Sequence, residues 1–320
     1  MQLIEAVPNI STADKQTLAD ILQQLQPALQ VARLLHQDSN LDANRTVLTL
    51  AGQPRAVVQA CLSLFTACAG HLDMRTHHGA HPRLGAVDVC PLVPVAGITL
   101  QQTATWADVL AKHVADQLNI PVYLYEANAK TEQRRNLALL RKGEYESLPA
   151  KLQILPPDYG PRTFTNNVAK TGASVIGTRN FLIAFNISLN TQDVSAAKEI
   201  AAILRAKNGG LPGVKALGWY MQSYHCAQVS FNLTDFHQSN LQDVFEACKK
   251  QAAERGLEVT GSELIGLVPQ EALLRAGKFY SPGATSQHKL IATAVEHLLL
   301  NNIHPFVPSE RILEKRLYTQ

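Results

Sequence analysis

The sequence predicts an α+β protein built from two ferredoxin-like subdomains with mainly antiparallel sheets. The chain has 320 residues, which is long for a single core and indicates about two domains. Segments in which apolar residues have the spacing of a strand alternate along the chain with segments in which they have the spacing of a helix. The order βαββαβ occurs in both halves, and this order is typical of a split βαβ sheet with two helices on one face.

The first half begins with an apolar strand over Leu3–Val7 that ends at Pro8. A helical pattern follows from Asp14 to Leu25, with Ser11 and Thr12 as its expected caps. The remaining elements predicted in this half are strands over Val31–His36 and Val47–Ala51, a helix from Pro54 to about Leu72, a strand over Val87–Val95, a helix near Thr103–Leu118 and a strand over Val122–Tyr125.

The second half repeats this order. Its predicted elements are a strand over Phe181–Ile187, a helix over Val194–Arg205, strands over Ala216–Met221 and Ala227–Asn232, a helix over Leu241–Arg255 and a strand near Leu264–Val268. We therefore expect one subdomain over residues 1–178 and a second over residues 179–320.

Composition restricts the classes of function. The 29 basic residues nearly balance the 26 acidic ones, and no basic stripe suggests a nucleic-acid surface, so a small anionic ligand is the better expectation. The odd number of cysteines, five, without a CxxC pair indicates free thiols in a reducing compartment. No targeting segment or long apolar run is evident, which predicts a soluble cytoplasmic protein without membrane or nucleic-acid partners.

A segment between the halves, residues 155–172, is rich in Pro, Gly and Asn and has neither strand nor helix periodicity. Loops of this length in compact proteins are usually linkers or binding loops. Because ligand clefts often form at domain junctions, we expect this segment to bind a ligand, with a plain linker as the alternative.

The chemistry-bearing segment is His77 to Pro91. Four histidines, His71, His77, His78 and His81, suggest a metal site, but Gly79 and Pro82 interrupt the helix that would align them, so we expect no metal. His77 and His78 are expected to be solvated loop residues. His81 differs because Pro82 restricts its backbone to an extended conformation. Histidine exchanges protons near neutral pH, so His81 is the candidate acid and base.

Two carboxylates could hold the imidazole of His81 in one tautomer. Asp88 lies just inside the following strand, and Asp38 lies at the end of another strand. Either could accept a hydrogen bond from the ring, and the sequence leaves the choice open. Arg45 opens a strand and could present its planar guanidinium to a ligand carboxylate, with a surface ion pair as the alternative.

Blocks spread over nearly the whole chain resemble the formiminotransferase domain of glutamate formiminotransferases. They include Val7-Pro8-Asn9, Asn44-Arg45-Thr46-Val47, Gly52-Gln53-Pro54, His81-Pro82-Arg83 through Pro91, Pro121-Val122-Tyr123-Leu124-Tyr125, Gly143-Glu144-Tyr145-Glu146, Phe181 through Ile187, Gly218-Trp219-Tyr220, Ala227-Gln228-Val229-Ser230 and Gly266-Leu267-Val268-Pro269. The resemblance implies transfer of the formimino group from N-formimino-L-glutamate to N5 of tetrahydrofolate, which is a co-substrate. It also implies two ferredoxin-like subdomains with a substrate tunnel between them, and a homodimer.

The resemblance places the catalytic histidine of the family on His81. Proton transfer from the incoming nitrogen to the departing one then suggests His81 as a shuttle and Asp38 as the residue that orients it or stabilises the cationic adduct. Arg45 and Arg83 are predicted to bind substrate carboxylates, with Asn44 beside them.

The folate-contacting stretch of the family corresponds to residues 160–172. The resemblance therefore implies folate contacts at Gly160, Pro161, Thr163, Phe164 and Gly172. This stretch is about three residues longer than in the vertebrate sequence.

Two further departures from the family pattern stand out. The vertebrate Phe-Ser-Glu-Gly after the first strand is replaced by Ile10-Ser11-Thr12-Ala13. A chain that ends at Gln320 is expected to lack a cyclodeaminase domain, so another protein would process the product. Alternative functions are a related folate enzyme acting on 5-formyltetrahydrofolate or another one-carbon donor, a non-catalytic folate-binding module, and a metal-dependent hydrolase.

Overall fold

A computed structural model describes residues 2–318 and divides them into two compact units, with the division between Asn180 and Phe181. The predicted subdomain boundary between residues 178 and 179 stays a prediction. Within the described residues, no helix combines the length and the apolar character needed to cross a membrane.

The first unit is built on a mixed sheet. Its strands are β1 (Leu3–Ala6), β2 (Asn9–Ile10), β3 (Arg33–Asn40), β4 (Arg45–Gly52), β5 (Val87–Ala96), β6 (Val122–Glu126) and β7 (Ser174–Thr178). β1 and β2 both lie between β4 and β5 and pair with them antiparallel, so they form one strand interrupted before Asn9. Pro8 lies at the interruption, where a residue without an N–H cannot extend the ladder.

The helices of the first unit are α1 (Lys15–Leu25), α2 (Pro54–His71), α3 (Leu100–Leu118), α4 (Glu132–Arg135), α5 (Leu137–Leu140), α6 (Leu148–Ile154) and α7 (Asn166–Thr171), with 3₁₀ turns at Ala28–Gln30 and Tyr145–Ser147. The cap predicted for α1 is wrong. The side chain of Asp14, and not that of Ser11 or Thr12, accepts a hydrogen bond from the backbone N–H of Thr17.

The order of strands in this unit is ferredoxin-like. β5, the interrupted strand β1/β2, β4 and β3 lie side by side and pair antiparallel. Leu18, Phe65 and Leu110 from α1, α2 and α3 belong to one apolar core with this sheet. β7 and β6 extend the sheet beyond β5 by parallel pairing.

A smaller apolar cluster lies beside the β7 and β6 extension. Tyr123 and Tyr125 of β6 and Val175 of β7 pack there with Leu140 of α5 and Leu148 of α6. This packing holds the chain between α5 and α6, residues 141–147, next to the sheet. The position of that segment matters for the candidate site.

The second unit repeats the ferredoxin-like order with a simpler sheet. Its elements are β8 (Ile183–Leu189), α8 (Val194–Leu204), β9 (Val214–Met221), β10 (Cys226–Leu233), α9 (Leu241–Ala253), β11 (Val259–Ile265), α10 (Gln270–Tyr280), α11 (Gln287–His297), α12 (Pro308–Arg311) and α13 (Leu313–Tyr318), with 3₁₀ turns at Ala206–Asn208 and Gln222–Tyr224. The strands lie in the order β11-β8-β10-β9, all antiparallel. Two ferredoxin-like subdomains are thus confirmed, while the tunnel stays a prediction.

Two further local predictions differ from the structure. The strand expected near Leu264–Val268 is β11, which ends at Ile265 because Gly266 turns the chain at φ +77°. Val268 is apolar because it belongs to the core of the second unit. The segment expected to be irregular contains α7, and the strand β7 follows it without having been predicted.

Candidate active site

The loop between α2 and β5 carries the histidines, and close backbone contacts shape it. The N–H of Ala80 donates to the carbonyl of Asp42, and a Cβ on Gly79 would lie 2.3 Å from the oxygen of Ala43. Further along, Gly85 and Gly172 pair as an isolated β-bridge. The loop is therefore held against the β3–β4 connection at one end and against the end of α7 at the other.

His81 is half-buried, and one nitrogen of its ring is bonded within the loop. Its Nδ1 lies 2.8 Å from the carbonyl oxygen of Pro82. A carbonyl can only accept, so Nδ1 carries the proton and Nε2 is the basic nitrogen of the neutral ring. Burial, followed by the positive charges of Arg45 and Arg141, lowers the pKa of His81 well below its usual range, against the opposing effect of Asp88.

Asp88 is the centre of a buried ion cluster, the Asp88 cluster, formed with Arg45 and Arg141. Its Oδ2 accepts from Arg45 Nη2 at 2.7 Å and from Arg141 Nη2 at 2.5 Å, and its Oδ1 accepts from the N–H of Leu84 at 2.9 Å. The Asp88 side chain is fully buried. Burial alone would raise the pKa of Asp88, but the charges of Arg141 and Arg45 outweigh it and lower the pKa to about 2.

Arg45 itself is almost fully buried. Burial lowers its pKa to about 10, although Asp88 opposes the shift, so the guanidinium remains charged at neutral pH. Its Nε donates to Asn9 Oδ1 at 2.9 Å. The side chain predicted to bind a substrate carboxylate is thus held in place by two protein groups.

Arg83 is the centre of a second ion cluster, the Arg83 cluster, formed with Glu144 and Glu146. Its guanidinium donates to Glu144 at 3.0 Å and to both oxygens of Glu146 at 2.8 and 2.6 Å. Its Nε donates to Nδ1 of His77 at 3.2 Å. Arg83 was predicted to bind substrate, and the structure places two carboxylates of the protein on it.

His77 is not the solvated loop residue expected from the sequence. It is half-buried, with Nε2 donating to the carbonyl of Asn44 at 3.0 Å and Nδ1 accepting from Arg83. Burial, and to a smaller extent the charge of Arg83, lowers the pKa of His77, although the Asn44 contact opposes the shift. The prediction failed because the Asn44 carbonyl, 33 residues away along the chain, lies beside the ring. His78 is exposed.

Asn44 ties the same loop down. It has a left-handed backbone (φ +44°), its amide donates to the carbonyl of His78 at 2.8 Å, and its Oδ1 accepts from the N–H of Ala13. Asp38 lies on β3 opposite Val47, with one oxygen 3.7 Å from His36 Nε2. The roles predicted for Asn44 and Asp38 in substrate binding and catalysis stay predictions.

The surroundings of the residues predicted to contact folate change along residues 160–172. Pro161, Thr163 and Phe164 precede α7, and the Phe164 ring lies 6.3 Å from that of Tyr145. Gly172 at the end of α7 is buried, and a Cβ there would lie 2.3 Å from the oxygen of Leu84. Gly160 has φ +85° and approaches the oxygen of Ile120. The two glycines thus serve close backbone contacts, and the folate contacts stay predictions.

A cavity of about 420 Å³ opens beside the loop. The residues lining it are His78, Gly79, Arg83, Gly143, Glu144 and Glu146. Three of them belong to the Arg83 cluster, so this cavity is lined by charged side chains rather than apolar ones.

Arg141, Glu144 and Glu146 were not recognised from the sequence as site residues. One signal was present: Asp88 is a lone carboxylate in an apolar strand, and a buried carboxylate needs a cation. The sequence did not indicate which of the 29 basic residues supplies it. Among the described residues, no group of three or more His, Cys, Asp or Glu side chains could hold a metal ion.

Comparison with known proteins gives the family. The N-terminal subdomain of the formiminotransferase domain matches residues 3–179, and the second formiminotransferase model matches residues 184–318. The chain belongs to the formiminotransferase family. The resemblance seen in the sequence blocks is thereby confirmed.

The chain is similar both to longer proteins, of which it spans only part, and to proteins of which it spans nearly the whole length. It is 42% identical to the formimidoyltransferase-cyclodeaminase of Sus scrofa over 98% of this chain, and it spans 59% of the length of that relative. It is 37% identical to the glutamate formimidoyltransferase of Streptococcus pyogenes, covering 87% of this chain and 93% of that protein. The glutamate formimidoyltransferase of Thermoplasma acidophilum is 36% identical, over 88% of this chain and 92% of that protein.

Proposed function

We propose that this protein transfers the formimino group from N-formimino-L-glutamate to N5 of tetrahydrofolate, producing 5-formiminotetrahydrofolate and L-glutamate. Membership of the formiminotransferase family supports the reaction class. The glutamate formimidoyltransferase relatives, of which this chain covers 92% or more, support the choice of donor. The observation that carries the assignment of the chemistry is the tautomer of His81.

The reaction moves one proton between two nitrogens. N5 of the folate attacks the formimino carbon and forms a bond to it, and N5 must then lose its proton. The bond from that carbon to the glutamate nitrogen breaks next, and the departing nitrogen must gain a proton. One base that accepts the first proton and returns it as the second serves both steps, and general acid–base catalysis of this kind contributes about 10²–10⁴-fold.

His81 has the properties this shuttle needs. Its Nδ1 is bonded to the Pro82 carbonyl, so Nε2 is the nitrogen that accepts the proton. The lowered pKa of His81 keeps the ring neutral before the reaction. The same lowered pKa makes the imidazolium a stronger acid, so it returns the proton readily to the departing nitrogen.

The other proposed site residues have different roles, which follow from the charges and contacts around each of them. Arg45 is better placed than Arg83 to attract a substrate carboxylate, because two cations share one anion in the Asp88 cluster whereas two anions share Arg83. We propose that Asp38 stabilises the cationic adduct or orients His81. Asp88 acts on His81 through its charge. Asn44 contributes by holding the loop that carries the histidines.

We propose that the folate lies along the exposed part of residues 160–164, where the Phe164 ring offers an apolar surface for a stacked ring system. Gly172 supports this segment through the backbone contact with Leu84. We further propose that the protein is a cytoplasmic homodimer. Five free thiols are consistent with a reducing compartment, and size-exclusion chromatography with light scattering tests the dimer.

The decisive experiment incubates the purified protein with formiminoglutamate and tetrahydrofolate, without added metal, and measures release of glutamate. The wild-type protein should release glutamate, and His81→Ala should lower kcat/KM by about 10²–10⁴-fold. His113→Ala, an exposed histidine on α3, is the matched control and should leave the rate unchanged.

Other outcomes would support the alternatives. Turnover of 5-formyltetrahydrofolate without glutamate release would indicate the related folate enzyme, and folate binding without either reaction would indicate a binding module. Loss of activity on chelation would revive the metal-dependent hydrolase. Unchanged activity of His81→Ala would remove the shuttle.

A further inference from the structure

Arg141 is a mostly buried cation to which the proposed mechanism gives no role of its own. It follows α5 directly and is the C-cap residue of that helix, with its backbone N–H bonded to the carbonyl of Leu137. Leu140, one residue before, is buried in the smaller apolar cluster of the first unit. The side chain of Arg141 is 14% exposed and runs to Asp88, where Nη2 donates to Oδ2 at 2.5 Å and Nε to Oδ1 at 3.3 Å.

Arg141 is a surplus charge in this cluster. Arg45 already neutralises the carboxylate of Asp88 through a contact of 2.7 Å. Two guanidinium charges and one carboxylate charge leave a net charge of +1 in a place where all three side chains are largely buried. Burying an additional cation costs free energy, so its presence calls for a reason beyond the ion pair itself.

This net positive charge lies beside the loop that carries His81, because Oδ1 of Asp88 accepts a hydrogen bond from the backbone N–H of Leu84, three residues beyond His81. Arg45 of β4 and Arg141 both disfavour a proton on this ring, and Asp88 of β5 favours it. On the loop itself, Arg83 directs its charge to Glu144 and Glu146, and β3, which pairs with β4, carries Asp38. Removing Arg141 would leave Arg45 and Asp88 as a neutral pair and would lose one of the charges that keep His81 deprotonated.

We propose that Arg141 is a positioning residue: together with Arg45 it fixes Asp88 and places net positive charge beside the loop that carries His81, so that Nε2 is unprotonated when the amine to be deprotonated arrives. The proposal rests on the proposed transferase function for its catalytic consequence, but the charge state of His81 in the free protein is independent of any reaction. Arg141 acts through Asp88 and its own charge and does not touch the reacting atoms.

The test uses two substitutions that separate charge from contact. Arg141→Gln removes the charge and keeps an amide that can donate to Asp88, whereas Arg141→Lys keeps the charge. The first measurement is the titration of the His81 ring by NMR in the ligand-free protein, with the signal assigned by its loss in His81→Gln. We expect the titration midpoint of Arg141→Gln to lie about one pH unit above that of the wild type, and that of Arg141→Lys to be nearly unchanged.

The second measurement is the pH profile of kcat/KM for formimino transfer. Activity requires the neutral ring, so it falls as the pH drops through the pKa of His81. With a higher pKa in Arg141→Gln, this fall should begin about one pH unit higher, which gives about a tenfold greater loss on the acidic limb than at alkaline pH. Arg141→Met serves as a second neutral variant if Arg141→Gln does not fold.

A structural role alone would reduce kcat/KM by the same factor at every pH and leave the NMR midpoint in place, and that result would overturn the proposal. An unchanged midpoint in a folded Arg141→Gln or Arg141→Met protein would do the same. If the protein shows no formimino transfer at all, the proposed function fails, but the NMR titration still decides whether Arg141 controls the charge of His81.

Discussion

The two ion clusters of the first unit use the same chemical groups with opposite balance. In the Asp88 cluster, two arginines share one buried carboxylate, whereas in the Arg83 cluster one arginine is shared by Glu144 and Glu146, whose side chains are 41% and 63% exposed. Water screens the exposed glutamates strongly and the buried aspartate hardly at all. The Asp88 cluster therefore sets the charge of its surroundings, and the Arg83 cluster mainly holds the backbone of residues 143–147.

The largest loss of stability is expected when the buried carboxylate of the Asp88 cluster is neutralised. Asp88→Asn leaves Arg45 and Arg141 buried without an anion, which should lower the free energy of unfolding by about 3–5 kcal/mol. Urea unfolding followed by circular dichroism measures this, with the exposed Asp116→Asn on α3 as a control that changes stability by less than about 0.5 kcal/mol. A loss below about 1 kcal/mol for Asp88→Asn would mean that the two clusters do not differ as described.

Acid should also weaken the Asp88 cluster, because it protonates the carboxylate of Asp88. The pKa of Asp88 is about 2 in the folded protein and near 3.8 when unfolded, so the unfolded state binds more protons between these values. The stabilisation is present above pH 4 and is lost as the pH falls through 2, with a magnitude of about 2 kcal/mol. Urea unfolding at a series of pH values measures it.

Asp73 provides the matched comparison in acid. Its hydrogen bond to Arg75 lowers its pKa to about 2 as well, but the side chain of Asp73 is 30% exposed and that of Arg75 is 56% exposed. Solvent screening should make this pair contribute far less than its pKa suggests. The acid-dependent slope should therefore be nearly unchanged in Asp73→Asn and clearly reduced in Asp88→Asn. Equal slopes in the two variants would contradict the role given to burial.

A smaller effect is expected from removing the arginine of the exposed cluster. Arg83→Met leaves Glu144 and Glu146 able to reach water, while His77 loses the donor to its Nδ1. We expect a loss of about 1–2 kcal/mol in the free energy of unfolding, mostly from the half-buried histidine. Thermal and urea unfolding measure it, and a loss as large as that of Asp88→Asn would show that the Arg83 cluster is energetically buried after all.

The smallest effect is expected for Glu146→Gln. The side chain of Glu146 is mostly exposed, and Arg83 keeps Glu144 as a partner. The free energy of unfolding should change by less than about 1 kcal/mol, and the difference from wild type should shrink further at 1 M salt. A difference that persists at high salt would indicate an unscreened pair.

Much of the fold was predicted from the local periodicity of apolar residues. The elements that were not predicted lack such periodicity. The helix over Pro54–His71 was predicted closely because proline suits a first turn and the apolar spacing is regular. β7 was missed because its five residues, all buried, begin two residues after Gly172 and include Gly177, which weakens any strand pattern. α7 was missed because six residues carry too little periodicity in a segment rich in Asn and Thr.

In the candidate site, too, some residues were predicted from the sequence and others were not. His81 was predicted to be the acid and base because Pro82 and the family blocks mark it within a few residues. Arg141 was missed and His77 was misjudged because their partners lie far away along the chain: Arg141 is 53 residues from Asp88, and the Asn44 carbonyl is 33 residues from His77. Nothing in the local pattern of a residue reveals a partner at that separation.

The sequence by itself determined the ferredoxin-like order and its repetition in both halves, and it made His81 the candidate acid and base, because periodicity and proline act over a few neighbouring residues. Only the tertiary structure decided which charges surround that histidine. Ion pairs join groups by distance in space, and burial then decides how strongly each charge is felt. Two arginines from separate elements meet one buried aspartate, and the charge of the site follows from that meeting.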